Sequence, residues 1–327
     1  MSGVTDPALA ADYDALRTGA GARRLDRDVL LVVGAEAEAY LQGQLSQDVV
    51  GMAPGEARDA LLLEPDGKLC AFVRAICLGP GRFAVDTDAG SGEAVAARLR
   101  RFRLRTKVDL EPVAWPCVGI RGPDASSAVA ASITGGAVGA TTGGGDALAD
   151  EDAGPWVVPF AWGGVVGVDV LGPGASDAVD GGVRWCDAPA WEALRIEAGV
   201  PRMGQELDGR TIAAEADLVA RAVSFTKGCY TGQELVARLD ARGNRVARHL
   251  RGLVPTAGAT LEPGTELFDA GRPTAVGRCT SAAWCPGLGG PGGLGYVHRS
   301  VGVGGILAAG APDGPPVEVG HLPLVAP

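Results

Sequence analysis

Glycine and proline interrupt this chain at short intervals along its whole length, and this limits how long any one helix or strand can be. The chain has 327 residues, of which 51 are glycine and 22 are proline. Between these breaks, apolar residues follow either the two-residue alternation of half-buried strands or the three-to-four-residue spacing of amphipathic helices. We therefore predict an α+β protein of short elements, long enough to hold two or three compact units.

The first 244 residues mix both kinds of element. A buried strand at Val29–Val33 leads into a helix over 37–45, and two β-rich runs flank the turn Pro65-Asp66-Gly67, which predicts a hairpin. A helix is predicted over 91–102, with Ser91 at its N-cap. Another helix is predicted from about Pro189 to Gly199, because proline suits a helix start and glycine a helix end.

Two further segments give weaker local signals. Leu104, Thr106 and Val108 alternate with basic residues, which predicts a half-buried strand with one basic face. The segment 132–156 is rich in glycine and small residues, and we interpret it as a surface loop.

The last part of the chain has a different character. After about residue 245, short apolar runs alternate with glycine and proline turns, as in a small all-β barrel. We therefore divide the chain into a region at 1–244, made of two α+β subdomains, and a C-terminal barrel domain at 245–327.

The charge pattern favours a small anionic ligand. The formal net charge of −10 argues against a general nucleic-acid binder, yet basic residues cluster at 98–107 and at 221–251. Either cluster can also be a solvated face. Aromatic residues for base stacking are nearly absent, with Phe102 alone in the first cluster, so direct nucleic-acid binding is not expected.

The sequence also predicts the cellular compartment of the protein. No apolar run approaches the ~18 residues of a membrane span, and the acidic N-terminus lacks the features of a signal peptide. Seven scattered cysteines fit a reducing environment better than a disulfide framework, and none forms a C-x-x-C pair. We expect a soluble cytoplasmic protein with free thiols, no membrane partner and no resident metal.

One short motif, TKGCYTGQE at 226–234, combines several chemical signals. Thr231 and Glu234 have the spacing of a capping box, which predicts that a helix begins there. Gly228 and Gly232 permit unusual backbone angles or close approaches. Cys229 would then lie beside a helix start with Lys227 two residues away, and both features favour a thiolate. The alternative is that Cys229 is a small buried filler at a tight turn.

Within this motif, Lys227 to Glu234 is similar to the signature K-G-C-Y-x-G-Q-E of the YgfZ family. These are folate-binding proteins related to the aminomethyltransferase of the glycine cleavage system. The segments 32–49 and 194–207 also resemble the family, in the same order along the chain.

The resemblance implies a ring of three subdomains around a central channel that binds tetrahydrofolate, with a C-terminal β-barrel. It also implies a folate-binding accessory protein for the assembly or repair of iron–sulfur clusters on client proteins, which indirectly supports tRNA-modifying enzymes. The implied chemical residues are Cys229 and Lys227. The implied cofactor-binding residues are Glu197, which would hold the pterin ring, Tyr230, Gln233, Glu234 and Arg238.

One position departs from the related aminomethyltransferases. Where those enzymes have the aspartate of aminomethyl transfer, this chain reads Asp66 to Ala71, DGKLCA, with Cys70 or Ala71 at the position. A thiol or methyl group cannot act as an ionised partner, so glycine-cleavage activity is not expected. Two alternatives stay open: a folate-dependent one-carbon transferase or demethylase, and a binding scaffold with an inert cysteine.

Overall fold

The computed structural model describes residues 6–129, 154–179, 181–256, 260–269 and 272–326. The loop predicted at 132–156 lies almost entirely outside these residues. Six α-helices are described: α1 Pro7–Thr18, α2 Ala37–Gln44, α3 Gly92–Phe102, α4 Ala188–Ala198, α5 Val219–Ala222 and α6 Gln233–Asp240.

Ten strands precede the barrel and form two sheets. They are β1 Gly21–Leu25, β2 Arg27–Val33, β3 Ala57–Leu63, β4 Leu69–Gly79, β5 Arg82–Asp88, β6 Asp109–Val113, β7 Cys117–Arg121, β8 Trp156–Trp162, β9 Val165–Leu171 and β10 Arg184–Trp185. The first sheet has the order β3-β4-β5-β2-β6, and the second sheet has the order β10-β1-β7-β9-β8. The predicted α+β class is therefore confirmed.

The first sheet is buried on both faces, which explains why β2 is a continuous apolar run. Leu30 and Val32 pack with residues of α2 and α3. Val29 and Leu31 point the other way and pack with Trp156 and other residues of the second sheet. The two sheets therefore share an apolar layer.

Helix α4 begins and ends as its sequence predicts. Its second residue is Pro189, and Gly199 adopts a left-handed conformation with φ of 71° at its C-terminal end. Trp191 lies against Gly119 of β7, where an added Cβ atom would be 2.8 Å from the indole ring. A glycine is therefore required at this point for α4 to approach the second sheet.

The predicted barrel is also present. Its strands are β11 Arg248–Pro255, β12 Glu266–Asp269, β13 Ala275–Cys285, β14 Gly290–His298, β15 Ile306–Ala309 and β16 Pro316–Gly320. They close in the order β11-β14-β13-β12-β15-β16 around an apolar core. The segment after β16 returns to α4, since the Leu324 N–H donates to the Glu197 carbonyl at 2.7 Å.

The strand predicted within 103–113 is wrong in its first half, at 103–108. Leu104 has a φ of 45° and is 86% exposed, and the strand begins only at Asp109. The reason is pairing: β2 ends at Val33, whose partner is Asp109, so the preceding residues have no neighbouring strand to join.

Among the described residues, none of the helices combines the length and apolar character needed to cross a bilayer.

Candidate functional site

A cavity of about 400 Å³ lies between the two sheets and α4. Four aromatic side chains line it: Phe72 of β4, Phe160 and Trp162 of β8, and Trp191 of α4. The rings of Phe72 and Trp162 meet edge to face, with centroids 5.9 Å apart. A cavity of this size with aromatic walls is typical of sites that bind small molecules.

Arginine is the main charged residue of the cavity wall. Eight lining residues are arginines and four are aspartates: Arg23, Arg24, Arg27, Arg74, Arg121, Arg195, Arg202 and Arg221, with Asp26, Asp59, Asp88 and Asp169. Three of these arginines lie over aromatic rings, and two of them over rings that line the cavity. The Arg121 guanidinium is 3.6 Å from the Phe160 centroid, and that of Arg221 is 4.0 Å from the Trp162 centroid. The site therefore presents flat surfaces and positive charge together.

Beneath the cavity, buried ion pairs join the two sheets. Arg74 of β4 binds Asp86 of β5 at 2.9 Å and Asp169 of β9 at 2.7 Å. Arg121 of β7 binds the other oxygen of Asp169 at 2.8 Å. Burial alone would raise the pKa of Asp169, but the two guanidinium groups outweigh burial and hold this pKa well below its usual range. The side chains in the floor of the cavity are thus ionised, and their opposite charges neutralise one another.

A second polar cluster joins the cavity to the barrel. Arg195 of α4 donates to Glu206 at 3.0 Å and to the Ser281 hydroxyl of β13 at 2.6 Å. Glu206 also accepts from the hydroxyl groups of Ser281 and Thr280, at 2.5 and 2.7 Å. The barrel therefore fixes one wall of the cavity through hydrogen bonds.

Sequence reasoning missed most of these residues. Of the two basic clusters, only Arg221 lines the cavity. Arg98 is instead buried and donates to the Leu63 carbonyl and the Gln44 amide oxygen, so its role is structural. A usable signal was present, since Arg74 and Asp169 are charged residues within otherwise apolar strands.

The signature segment folds differently from the predicted capping box, which is wrong. Helix α6 begins at Gln233, and Gly232 precedes it with a φ of 84°. The Gln233 side chain, rather than that of Glu234, reaches back to accept the Tyr230 N–H at 3.2 Å. An added Cβ atom at Gly232 would be 2.6 Å from the Glu64 carbonyl, which explains this glycine; around Gly228 there is open space.

Lys227 serves the backbone of the loop after α2. Its ammonium donates to the carbonyl oxygens of Gln42, Leu45 and Gln47, at 2.7, 2.7 and 3.0 Å. All three of its donors are therefore used, and the lysine is engaged by carbonyls rather than by the thiol of Cys229. Burial lowers the pKa of Lys227 to about 8.

The other signature residues are distributed between core and surface. Cys229 is exposed, which rules out the interpretation that it is a buried filler. Tyr230 is buried in the core beneath the β3–β4 hairpin, and burial raises its pKa to about 12. Gln233 is half-buried, and Glu234 and Arg238 are exposed. These residues lie outside the lining of the cavity. Their predicted role in cofactor binding stays a prediction.

Glu197 lies on a different face of α4 from the cavity-lining residues Trp191, Arg195 and Ala198. Its carboxylate accepts hydrogen bonds from the Tyr13 hydroxyl and, at 2.9 Å, from the Gly287 N–H. Burial raises the pKa of Glu197. The carboxylate therefore joins α1, α4 and the barrel.

Cys70 and Ala71, one of which we expect to correspond to the aspartate of the related enzymes, carry no ionised group. Ala71 is fully buried in the core of the first sheet. Cys70 is half-buried, and burial raises the pKa of its thiol to about 11. Across the described ranges, no three histidine, cysteine, aspartate or glutamate side chains come together as a candidate metal site.

The chain is similar in sequence to several curated bacterial proteins. None of the protein-family models compared with the chain matches it. The tRNA-modifying protein YgfZ of Klebsiella pneumoniae is 30% identical over 243 residues, covering 72% of each chain. An uncharacterized protein of Haemophilus influenzae is 28% identical over 215 residues, and the chain spans 65% of that relative's length. An aminomethyltransferase of Corynebacterium jeikeium is 26% identical over 310 residues, covering 86% of this chain.

A solved structure shares the fold. The aminomethyltransferase T of the glycine cleavage system from Bartonella henselae superposes with a TM-score of 0.80, over 98% of this chain and 91% of that one. At 21% sequence identity this likeness shows the fold alone, and it confirms the predicted aminomethyltransferase-like architecture. The identity and coverage of the Klebsiella relative go further: the chain belongs to the YgfZ family.

Proposed function

We propose that this protein binds tetrahydrofolate, or a derivative of it, in the cavity between the two sheets and α4. We further propose that it is an accessory protein for the assembly or repair of iron–sulfur clusters, and that it indirectly supports tRNA-modifying enzymes through their clusters. Relatives that are named tRNA-modifying proteins support the second part.

The observation that carries the folate proposal is the chemistry of the cavity wall. A reduced folate has a flat pterin and a benzoyl ring, followed by a carboxylate tail. Phe72, Phe160, Trp162 and Trp191 offer aromatic surfaces for the rings. Arginines in the same wall can bind carboxylates through paired N–H groups. The residues of the cavity wall therefore suit both the rings and the carboxylate tail of the ligand.

Calorimetric titration with tetrahydrofolate tests this proposal, using the wild-type protein and a Trp162→Leu variant. Loss of one stacking surface should weaken binding by about tenfold, in line with the ~1–3 kcal/mol of a ring-stacking contact. Phe225→Leu is the matched control, because Phe225 is 53% exposed and outside the cavity. No binding by the wild-type protein, or equal effects of both variants, would reject the cavity as the folate site.

The predicted role of Glu197 has a separate test. Glu197→Gln keeps an acceptor for the Gly287 N–H and a group that can bond Tyr13, so the fold should be retained. If the carboxylate holds the pterin ring, tetrahydrofolate affinity should fall by about tenfold or more, as expected for loss of a charged hydrogen-bond partner. Unchanged affinity by calorimetry would leave Glu197 with its structural contacts only.

The cluster-assembly role rests on Cys229, whose exposed thiol is accessible to a partner protein. Cys229→Ala should leave folding and tetrahydrofolate affinity nearly unchanged, while abolishing complementation of a cluster-assembly defect. Full complementation by this variant would remove the cysteine from the mechanism.

A second candidate is a folate-dependent one-carbon transferase or demethylase, which the aminomethyltransferase fold supports. The neutral Cys70 and buried Ala71, expected where the related aminomethyltransferases have an aspartate, disfavour it. The two candidates are separated by incubating the protein with tetrahydrofolate and small methylated amines. Folate-dependent release of formaldehyde or formation of methylene-tetrahydrofolate would establish the enzyme.

A further inference from the structure

We propose that Arg23 and Arg202 form a subsite for a chain of several carboxylates, so that the cavity selects folates carrying multiple γ-linked glutamates over the monoglutamate. The inference rests on the proposed folate binding and extends it to the form of the ligand.

The first step is the distribution of charge in the cavity wall. Five of the eight arginines have a carboxylate within 3.0 Å and are largely neutralised: Arg27, Arg74, Arg121, Arg195 and Arg221. For Arg23 and Arg24, no carboxylate of the described residues lies within ion-pair distance. Their charge therefore remains available to an anionic ligand.

Arg23 faces the cavity because of its place in the second sheet. It pairs with Gly119 of β7, which pairs in turn with Asp169 of β9, and cross-strand partners point to the same face. Gly119 has no side chain, and the Trp191 ring of the cavity wall lies against it, so Arg23 points to the same face of the sheet as this ring. Within the part of the chain that the structure describes, its guanidinium donates one long hydrogen bond, to the Cys186 carbonyl at 3.3 Å.

Arg202 extends this charge towards solvent. Arg24, by contrast, follows Arg23 in β1 and points to the opposite face of the sheet, where its guanidinium lies 4.9 Å from the ring centroid of the exposed Trp185. The Arg202 side chain is 41% exposed and reaches Glu192 only at 3.7 Å. Glu192 is already bound through both oxygens by Arg195, at 2.7 and 3.0 Å, so it neutralises Arg202 poorly.

These positions match a ligand whose rings are inside and whose tail leaves the cavity. Each γ-linked glutamate adds one carboxylate to a flexible chain, and guanidinium groups bind carboxylates in a paired geometry. Because the arginines are partly exposed, each added ion pair should be weak and sensitive to salt. Selectivity should therefore build up over several glutamates rather than at one contact.

The test compares tetrahydrofolate monoglutamate and triglutamate by calorimetry at low and high salt. The triglutamate should bind about tenfold more tightly at low ionic strength, as a sum of weak exposed ion pairs, and this preference should shrink in ~0.5 M salt. In an Arg23→Gln, Arg202→Gln double variant the preference should disappear, while affinity for tail-free tetrahydropterin should not change.

Arg210→Gln is the matched control, since the Arg210 side chain is 88% exposed, pairs with Asp208 and lies outside the cavity lining. It should keep the full preference. Equal affinity of the wild-type protein for both folates would overturn the inference while leaving folate binding intact. A preference that survives in the double variant would also overturn it. Failure of every folate to bind would reject the proposed function itself.

Discussion

Cys229 differs from the other six cysteines in its exposure to solvent. Five of the others are buried and Cys70 is half-buried. Iodoacetamide at neutral pH should therefore alkylate Cys229 well before the rest, because the reagent must reach the sulfur atom. Mass spectrometry of peptides from a time course measures the seven rates.

The Cys229→Ala variant is the control for this experiment and should lose the fast phase while keeping the slow ones. Equal labelling rates for all seven cysteines would contradict the exposed position of Cys229. Labelling that is fast only after addition of denaturant would contradict it as well.

For Lys227 we predict a role in the stability of the protein rather than in its chemistry. Lys227→Met removes the donor of three backbone carbonyls and should lower the free energy of unfolding by about 1–3 kcal/mol. Urea denaturation followed by circular dichroism measures the change. Lys68→Met is the control, because the Lys68 side chain is 48% exposed and pairs with the exposed Asp66. Unchanged stability in Lys227→Met, with loss of complementation, would instead support a chemical role.

At the scale of elements, the start of α6 depends on one of its two signature glycines. Gly232→Ala forces a side chain into a left-handed backbone position, against the Glu64 carbonyl and Leu63. It should cost about 1–3 kcal/mol of unfolding free energy. Gly228→Ala meets open space and should change this free energy by less than about 0.5 kcal/mol. Equal losses in the two variants, measured by urea denaturation, would contradict this account.

Elements with local signals were predictable, and elements decided by distant partners were not. Helix α4 carries its own boundaries in Pro189 and Gly199, so sequence alone located it. The residues at 103–108 have the alternation of a strand, but β2 ends at Val33 and offers them no partner. The start of α6 follows the packing of Gly232 against the β3–β4 hairpin, which capping rules do not include.

At the scale of the whole molecule, the cavity brings together residues that are far apart in the chain. Phe72, Trp162 and Trp191 come from β4, β8 and α4, and no local pattern relates them. The resemblance to a folate-binding family predicted that a central site exists, because the family shares a fold. It did not predict which residues line the cavity, since the lining arginines lie mostly outside the basic clusters visible in sequence.

The ion pairs of Asp169 link the two sheets and should contribute strongly to the stability of the whole protein. Asp169→Asn leaves Arg74 and Arg121 without their shared buried carboxylate, and removing one partner of a buried pair costs about 3–5 kcal/mol. Asp59→Asn is the control, because its pair with Arg221 is partly exposed, at 24% and 34%, and such pairs contribute about 0.2–1 kcal/mol. Urea denaturation of both variants at pH 7 measures the difference.

The ion pairs of Asp169 also predict how the stability of the protein depends on pH. The pKa of Asp169 is lower in the folded protein than in the unfolded chain, so its stabilising effect is complete above the unfolded value of about 4 and is lost as the pH falls towards the folded value. The stability gap between the wild-type protein and Asp169→Asn should therefore be constant from pH 5 to 8 and should narrow below about pH 4. A gap that stays constant or widens on acidification would show that Asp169 does not gain its charge stabilisation from Arg74 and Arg121.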